Sequence, residues 1–131
     1  MPRTKVRLMR NGLGRAAKMT GSILVAAALA GCSSLPGSYE ARLADYLSET
    51  GAKMYGAYWC PHCAVQKDYF GGAASQIPYV ECDLEGFNAQ AELCDSVGIE
   101  AYPTWIIGGD RYMGAQSLSE LAALSGFEPP E

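Results

Sequence analysis

The sequence predicts a single α/β domain over residues 38–131, built as a mixed four-stranded sheet flanked by helices. Three observations carry this. Short apolar and aromatic runs alternate with capped helical segments. Their order is helix, strand, helix, strand, helix, hairpin, helix. Two strands joined by a helical crossover lie parallel, and a terminal hairpin adds antiparallel strands. Finally, hydrophobic residues are 49% of the 131, enough for one modest core.

Ser38 can cap a helix in which Tyr39, Leu43, Tyr46 and Leu47 recur at helical spacing, ending at Gly51. Residues 53–59 (Lys53-Met54-Tyr55-Gly56-Ala57-Tyr58-Trp59) read as a strand. Pro61 takes the favoured first position of a helix running to Phe70, which Gly71-Gly72 stops. Ile77-Pro78-Tyr79-Val80-Glu81-Cys82 is a second short strand. Asn88 can cap a helix through Val97, ended by Gly98. Residues 101–107 lead into a third strand, and Gly108-Gly109-Asp110 turns it into a fourth around residues 111–113. Ser117-Leu118-Ser119-Glu120 is a capping box opening a last helix, with Leu118, Leu121 and Leu124 inward and Gly126 at its end. Residues 127–131 read as frayed.

Charge divides the chain sharply. Arg3, Lys5, Arg7, Arg10, Arg15 and Lys18 precede residue 20, whereas all 14 acids lie from Glu40 onward. The domain is therefore strongly acidic, which argues against a nucleic-acid partner because little could neutralise phosphates. The basic start leads into an apolar run, residues 23–30, too short to span a bilayer and suited to a signal peptide. Leu29-Ala30-Gly31-Cys32 resembles the bacterial lipobox, cut before a cysteine that becomes lipidated. The expectation is a lipoprotein-type signal peptide over 1–31, a lipid on Cys32, and a turn-rich tether over 32–37. That places the domain in the cell envelope or periplasm, anchored to a membrane. An ordinary cleaved signal with an incidental Cys32 is the alternative.

Setting Cys32 aside leaves Cys60, Cys63, Cys82 and Cys94. In an oxidising compartment an even remainder reads as two disulfides. Cys60-Pro61-His62-Cys63 falls where a strand hands over to a helix. The helix start favours a negative sulfur at Cys60, the spacing puts both thiols on one turn, and Pro61 fixes the backbone without losing a helical hydrogen bond. His62, the only histidine, could stabilise a Cys60 thiolate, which would lower that thiol's pKa and make the disulfide more oxidising; a solvated bystander is the plainer reading. A zinc site built from Cys60, His62, Cys63 and either Cys82 or Cys94 lacks a second closely spaced ligand pair. A purely structural 60–63 disulfide would constrain little of the unfolded chain. Gly108-Gly109 reads as a turn rather than a phosphate cradle, Asp83 and Glu85 as solvated acids. Neither metal nor cofactor is expected.

Trp59-Cys60-Pro61-His62-Cys63 followed some forty residues later by Tyr102-Pro103-Thr104 resembles the thioredoxin superfamily. The resemblance implies a cis peptide at Pro103 beside the dithiol, with Tyr102 offering backbone to an extended substrate and Trp59 at the rim of the site. A narrower likeness covers residues 53–127. Tyr55-Gly56-Ala57-Tyr58-Trp59, Tyr79-Val80-Glu81-Cys82-Asp83, Ala91-Glu92-Leu93-Cys94 and Gln116-Ser117-Leu118 are similar to the thioredoxin-like domain fused to bacterial and plant vitamin K epoxide reductase homologues. This implies a structural Cys82–Cys94 disulfide, with a relay pair as the alternative. The 131 residues include no multi-helix membrane segment, so the expected redox partner is another polypeptide, of the vitamin K epoxide reductase type, or a soluble thiol system. Reducing thioredoxins carry a buried acid six residues before the first active cysteine; here that position is Met54.

The expected activity is thiol–disulfide exchange at Cys60 and Cys63, oxidising or isomerising exported proteins. A reductive role, such as cytochrome maturation, and a redox-inactive envelope scaffold are the alternatives.

Overall fold

The computed structural model describes residues 37–129. The expected signal segment, Cys32 with its lipid, and all of the tether but Gly37 lie outside the described residues. Four helices and four strands form in the expected order: α1 (Tyr39–Glu49), β1 (Lys53–Gly56), α2 (Pro61–Phe70), β2 (Tyr79–Glu81), α3 (Ala91–Val97), β3 (Thr104–Ile107), β4 (Asp110–Met113) and α4 (Leu118–Ser125). A short 3₁₀ turn, Gly71–Gln76, follows α2. Among the described residues no helix is long and apolar enough to cross a membrane.

The strands form one sheet in the order β2-β1-β3-β4. β1 and β2 are parallel, with Met54 opposite Tyr79 and Gly56 opposite Glu81. β1 and β3 are antiparallel, with Met54 opposite Trp105. The β3–β4 hairpin closes through Gly108-Gly109, both at positive φ, as a two-residue hairpin turn demands.

Residues directly opposite in a sheet share a face, so this register sorts the core into two halves. Met54, Trp105 and Ile107 join Leu43, Leu47, Cys63, Phe70 and Leu121 in the larger cluster, under α1, α2 and α4. Tyr55 and Val80 point the other way, into a smaller cluster with Cys82 and Cys94 under α3. The sheet therefore carries helices on both faces, and it lies between the two cysteine pairs.

Local chemistry explains the helix ends. Ser38 accepts a hydrogen bond from Ala41 N at the start of α1, and Ser117 with Glu120 forms the expected capping box of α4. Gln66 on α2 is fully buried and acts as a polar tie. Its Oε1 accepts from Trp105 Nε1 at 2.9 Å and from Gln116 N at 2.7 Å, while its Nε2 donates to Gln116 O at 2.9 Å. These bonds join α2 to the sheet and to the approach to α4.

Several expected boundaries move. β1 stops at Gly56 rather than Trp59, because Cys60 N–H donates back to Ala57 O at 3.0 Å and turns the chain out of the sheet. The second strand is only three residues long. Asn88 does not cap α3: it takes a positive φ of 53°, and the helix opens after Gln90. Gln90 is held there by its N–H donating to Glu81 O at 2.7 Å. Nor is Phe127 frayed. It packs edge-on against Tyr39 at 5.6 Å and tilted against Tyr46 at 5.4 Å between centroids, holding the segment just after α4 onto α1, while residues 130–131 lie outside the described residues.

Candidate active site

The turn after β1 delivers Cys60 to the N-cap of α2, with Pro61 following at the first helical position. A thiol there sits at the positive end of the helix, where backbone N–H groups lack intrahelical partners. Cys63 lies one turn on. Both are free thiols, Cys60 5% and Cys63 1% exposed.

The two sulfurs are unequal. Burial pushes the Cys63 thiol up to about 12, opposed in part by a backbone hydrogen bond at Ala57 and by Lys67, and reinforced by Cys60 beside it. At neutral pH Cys63 stays protonated until a neighbour takes its proton. Cys60 is buried too, and its Sγ donates to Tyr102 O, in the loop before β3, at 3.6 Å. The Tyr102–Pro103 peptide is cis, as the resemblance implies, and it brings that carbonyl beside the dithiol.

Two exposed aromatics border Cys60. Trp59 is 58% and Tyr58 56% exposed. Trp59 packs edge-on against Tyr102 at 6.2 Å, and its indole N–H donates to Asp83 Oδ2 at 2.7 Å. Tyr58 OH reaches Glu85 Oε2 at 3.5 Å. Asp83 and Glu85 therefore anchor the loop after β2 to the redox turn rather than merely standing in solvent. The Trp59 indole, with the Glu85 backbone N–H next, holds the Asp83 carboxyl below its ordinary range. The same loop exposes Leu84 and Phe87 at 83% and 88%. His62 is exposed and makes no hydrogen bond among the described residues.

Behind Cys63 lies a group that sequence reading missed. Tyr79 OH donates to Glu81 Oε2 at 2.8 Å, and Asp83 N–H donates to Glu81 Oε1 at 2.9 Å. Lys67 Nζ stands 3.8 Å over the Tyr79 ring. A signal was present: Tyr79 and Glu81 share one face of an otherwise apolar strand, opposite Met54 and Gly56.

Cys82 and Cys94 form a disulfide with Cα atoms 5.7 Å apart, pinning the end of β2 to α3. Bonded to each other, they cannot complete a metal set with Cys60, His62 and Cys63. Among the described residues no group of three or more His, Cys, Asp or Glu side chains is placed to hold a metal ion. A surface depression of about 620 Å³ lies at the far end of α2, beside Ser38, Glu40, Asp68 and Gly71, and includes neither free thiol.

A sheet ordered β2-β1-β3-β4, a Cys-x-x-Cys pair opening the helix after β1, and a cis-proline loop against that pair make this a thioredoxin-like α/β fold carrying a dithiol. Over 99 residues the chain is 43% identical to the thiol-disulfide oxidoreductase LTO1 of Arabidopsis thaliana. That alignment takes in 72% of this chain and 26% of the plant protein, so the chain spans about a quarter of its relative's length. No family model matches the sequence.

Proposed function

We propose that the protein is a thiol–disulfide oxidoreductase in which Cys60 exchanges with substrate and Cys63 closes the cycle. The observation that carries this is the arrangement of Cys60: a free thiol at a helix N-cap, with a second free thiol one turn away and the Tyr102 carbonyl 3.6 Å from its sulfur. In the oxidising direction a substrate thiolate attacks Cys60 Sγ of the disulfide, and Cys63 leaves with the bond's electron pair. The substrate's second thiolate then attacks the mixed disulfide, releasing oxidised substrate and the reduced pair.

Exported protein thiols are the proposed substrates. An extended chain lies along Tyr102, and its apolar side chains meet Trp59, Tyr58, Leu84 and Phe87. Net oxidation or isomerisation is the proposed direction, because an exported domain works in an oxidising compartment. Reoxidation falls to a membrane quinone-linked enzyme of the vitamin K epoxide reductase type, with the lipid on Cys32 keeping the domain near a membrane of the envelope. The Cys82–Cys94 bridge is proposed to be structural, since the sheet lies between it and the free pair.

Equilibrating the protein with glutathione buffers and counting free thiols at Cys60 and Cys63 tests the direction. A reduction potential well above the roughly −270 mV of thioredoxin fits an oxidase or isomerase. A value near it favours the reductive role.

A further inference from the structure

The Cys63 proton must go somewhere, and position 54, where reducing thioredoxins place an acid, holds a fully buried Met54. The structure offers an acid on the neighbouring strand. Glu81 is 5% exposed, an uncommon degree of burial for a carboxylate. It is also held firmly. Tyr79 OH and Asp83 N–H each donate to one of its oxygens, and the loop closes over it at Gly86, where an added Cβ would fall 2.3 Å from Glu81 Cγ.

Tyr79 connects this carboxylate to the thiol. A side chain begun at Gly56 would meet Cys63 Sγ at 2.7 Å and the Tyr79 phenol oxygen at 3.5 Å. Both atoms thus border the same small space beside the Gly56 α-carbon, and a glycine there keeps them facing each other. Burial, and then the bond to Glu81, push the Tyr79 phenol well above its ordinary range, so it remains a proton donor to Glu81.

We propose that Tyr79 and Glu81 form the proton-handling pair for Cys63, replacing an acid on β1 with one on β2. The inference rests on the oxidoreductase reading above. When the protein reduces a substrate, the Cys63 Sγ–H proton passes across the space beside Gly56 to Tyr79 Oη as the phenol proton moves to a Glu81 oxygen. The freed Cys63 electron pair attacks Cys60 Sγ. That pair becomes the Cys60–Cys63 bond; the Cys60–substrate S–S bond breaks, and the substrate sulfur departs with the pair of the broken bond as a thiolate. The protein's two thiols become a disulfide, and the substrate disulfide is reduced. In the oxidising direction the path reverses, and the pair returns a proton to the departing Cys63 thiolate. Other charged or titratable groups facing the cluster are Cys60 at the N-cap of α2, Lys67 from α2, Asp83 from the loop after β2, and Tyr102 from the loop before β3.

Rapid-quench single turnovers with a disulfide peptide test this, because they separate mixed-disulfide formation at Cys60 from its resolution by Cys63. Glu81→Gln and the milder Tyr79→Phe, which removes only a hydroxyl, are compared with the unaltered protein. Resolution should slow by roughly a hundredfold at neutral pH, the lower end of what a positioned proton acceptor contributes, while formation of the mixed disulfide is unchanged. Resolution in the variants should also rise with pH where the unaltered protein is flat. If both steps slow together with the pH profile unmoved, or if resolution is unaffected, the relay is overturned and the exchange activity stands. An unaltered protein that forms no mixed disulfide overturns the oxidoreductase reading and the relay with it.

Discussion

The Trp59 indole N–H and the Asp83 carboxylate meet at 2.7 Å, tying the redox turn to the loop after β2. That bond sets the apolar rim beside Cys60, because the same loop carries the exposed Leu84 and Phe87. Replacing Phe87 with Ser should raise KM several-fold for an unfolded protein substrate and leave turnover of a small dithiol unchanged. Asp83→Ala should act in the same direction by freeing the loop. Parallel steady-state assays on the two substrate types check both.

Gln66 makes the test of packing. Gln66→Leu keeps the volume but leaves Trp105 Nε1 and Gln116 N without their shared acceptor. Each unpaired donor taken from water costs about 1–3 kcal/mol, so a loss of about 2–6 kcal/mol in urea unfolding is expected, far more than for a surface substitution.

Much of this was legible in the sequence, for identifiable reasons. Ser38, Pro61, Ser117 with Glu120, and Gly108-Gly109 act locally, through caps and turns that neighbouring residues dictate, so the elements they bound fell where expected. Cys60 and Cys63 were legible because a three-residue spacing on a helix is itself a geometry. Asn88 misled because its cap competed with a hydrogen bond from Gln90 N–H to Glu81 O, which depends on where β2 lies. Phe127 misled because its partners, Tyr39 and Tyr46, sit some eighty residues earlier in the chain. Glu81 and Tyr79 were invisible as site residues, since their meaning comes from the register that sets them against Met54 and Gly56 across two strands.

The Cys82–Cys94 bridge separates stability from chemistry. Cys82→Ser/Cys94→Ser should lose about 2–5 kcal/mol of stability, as removal of a native disulfide from a small domain does. Its exchange rate per folded molecule should match that of the unaltered protein. A folded double variant without exchange activity would instead make the bridge a relay.

Cys63 gives the reduced protein a specific response to alkali. Its thiol titrates near 9.0 when unperturbed and at about 12 in the fold. Below the lower value both states are protonated, and the contribution is fully present. As pH climbs through the interval, the unfolded chain ionises first and stability is lost. The urea midpoint of the reduced protein should therefore fall more steeply above about pH 9 than that of Cys63→Ala.

Division of labour between the two thiols is tested most directly by trapping. Cys63→Ala, mixed with a disulfide-bonded peptide and quenched with acid, should accumulate a covalent adduct that mass spectrometry places on Cys60. Cys60→Ser should form none. An adduct on Cys63 in the Cys60→Ser protein at an equal rate, or no adduct on Cys60 in the Cys63→Ala protein, would contradict the account.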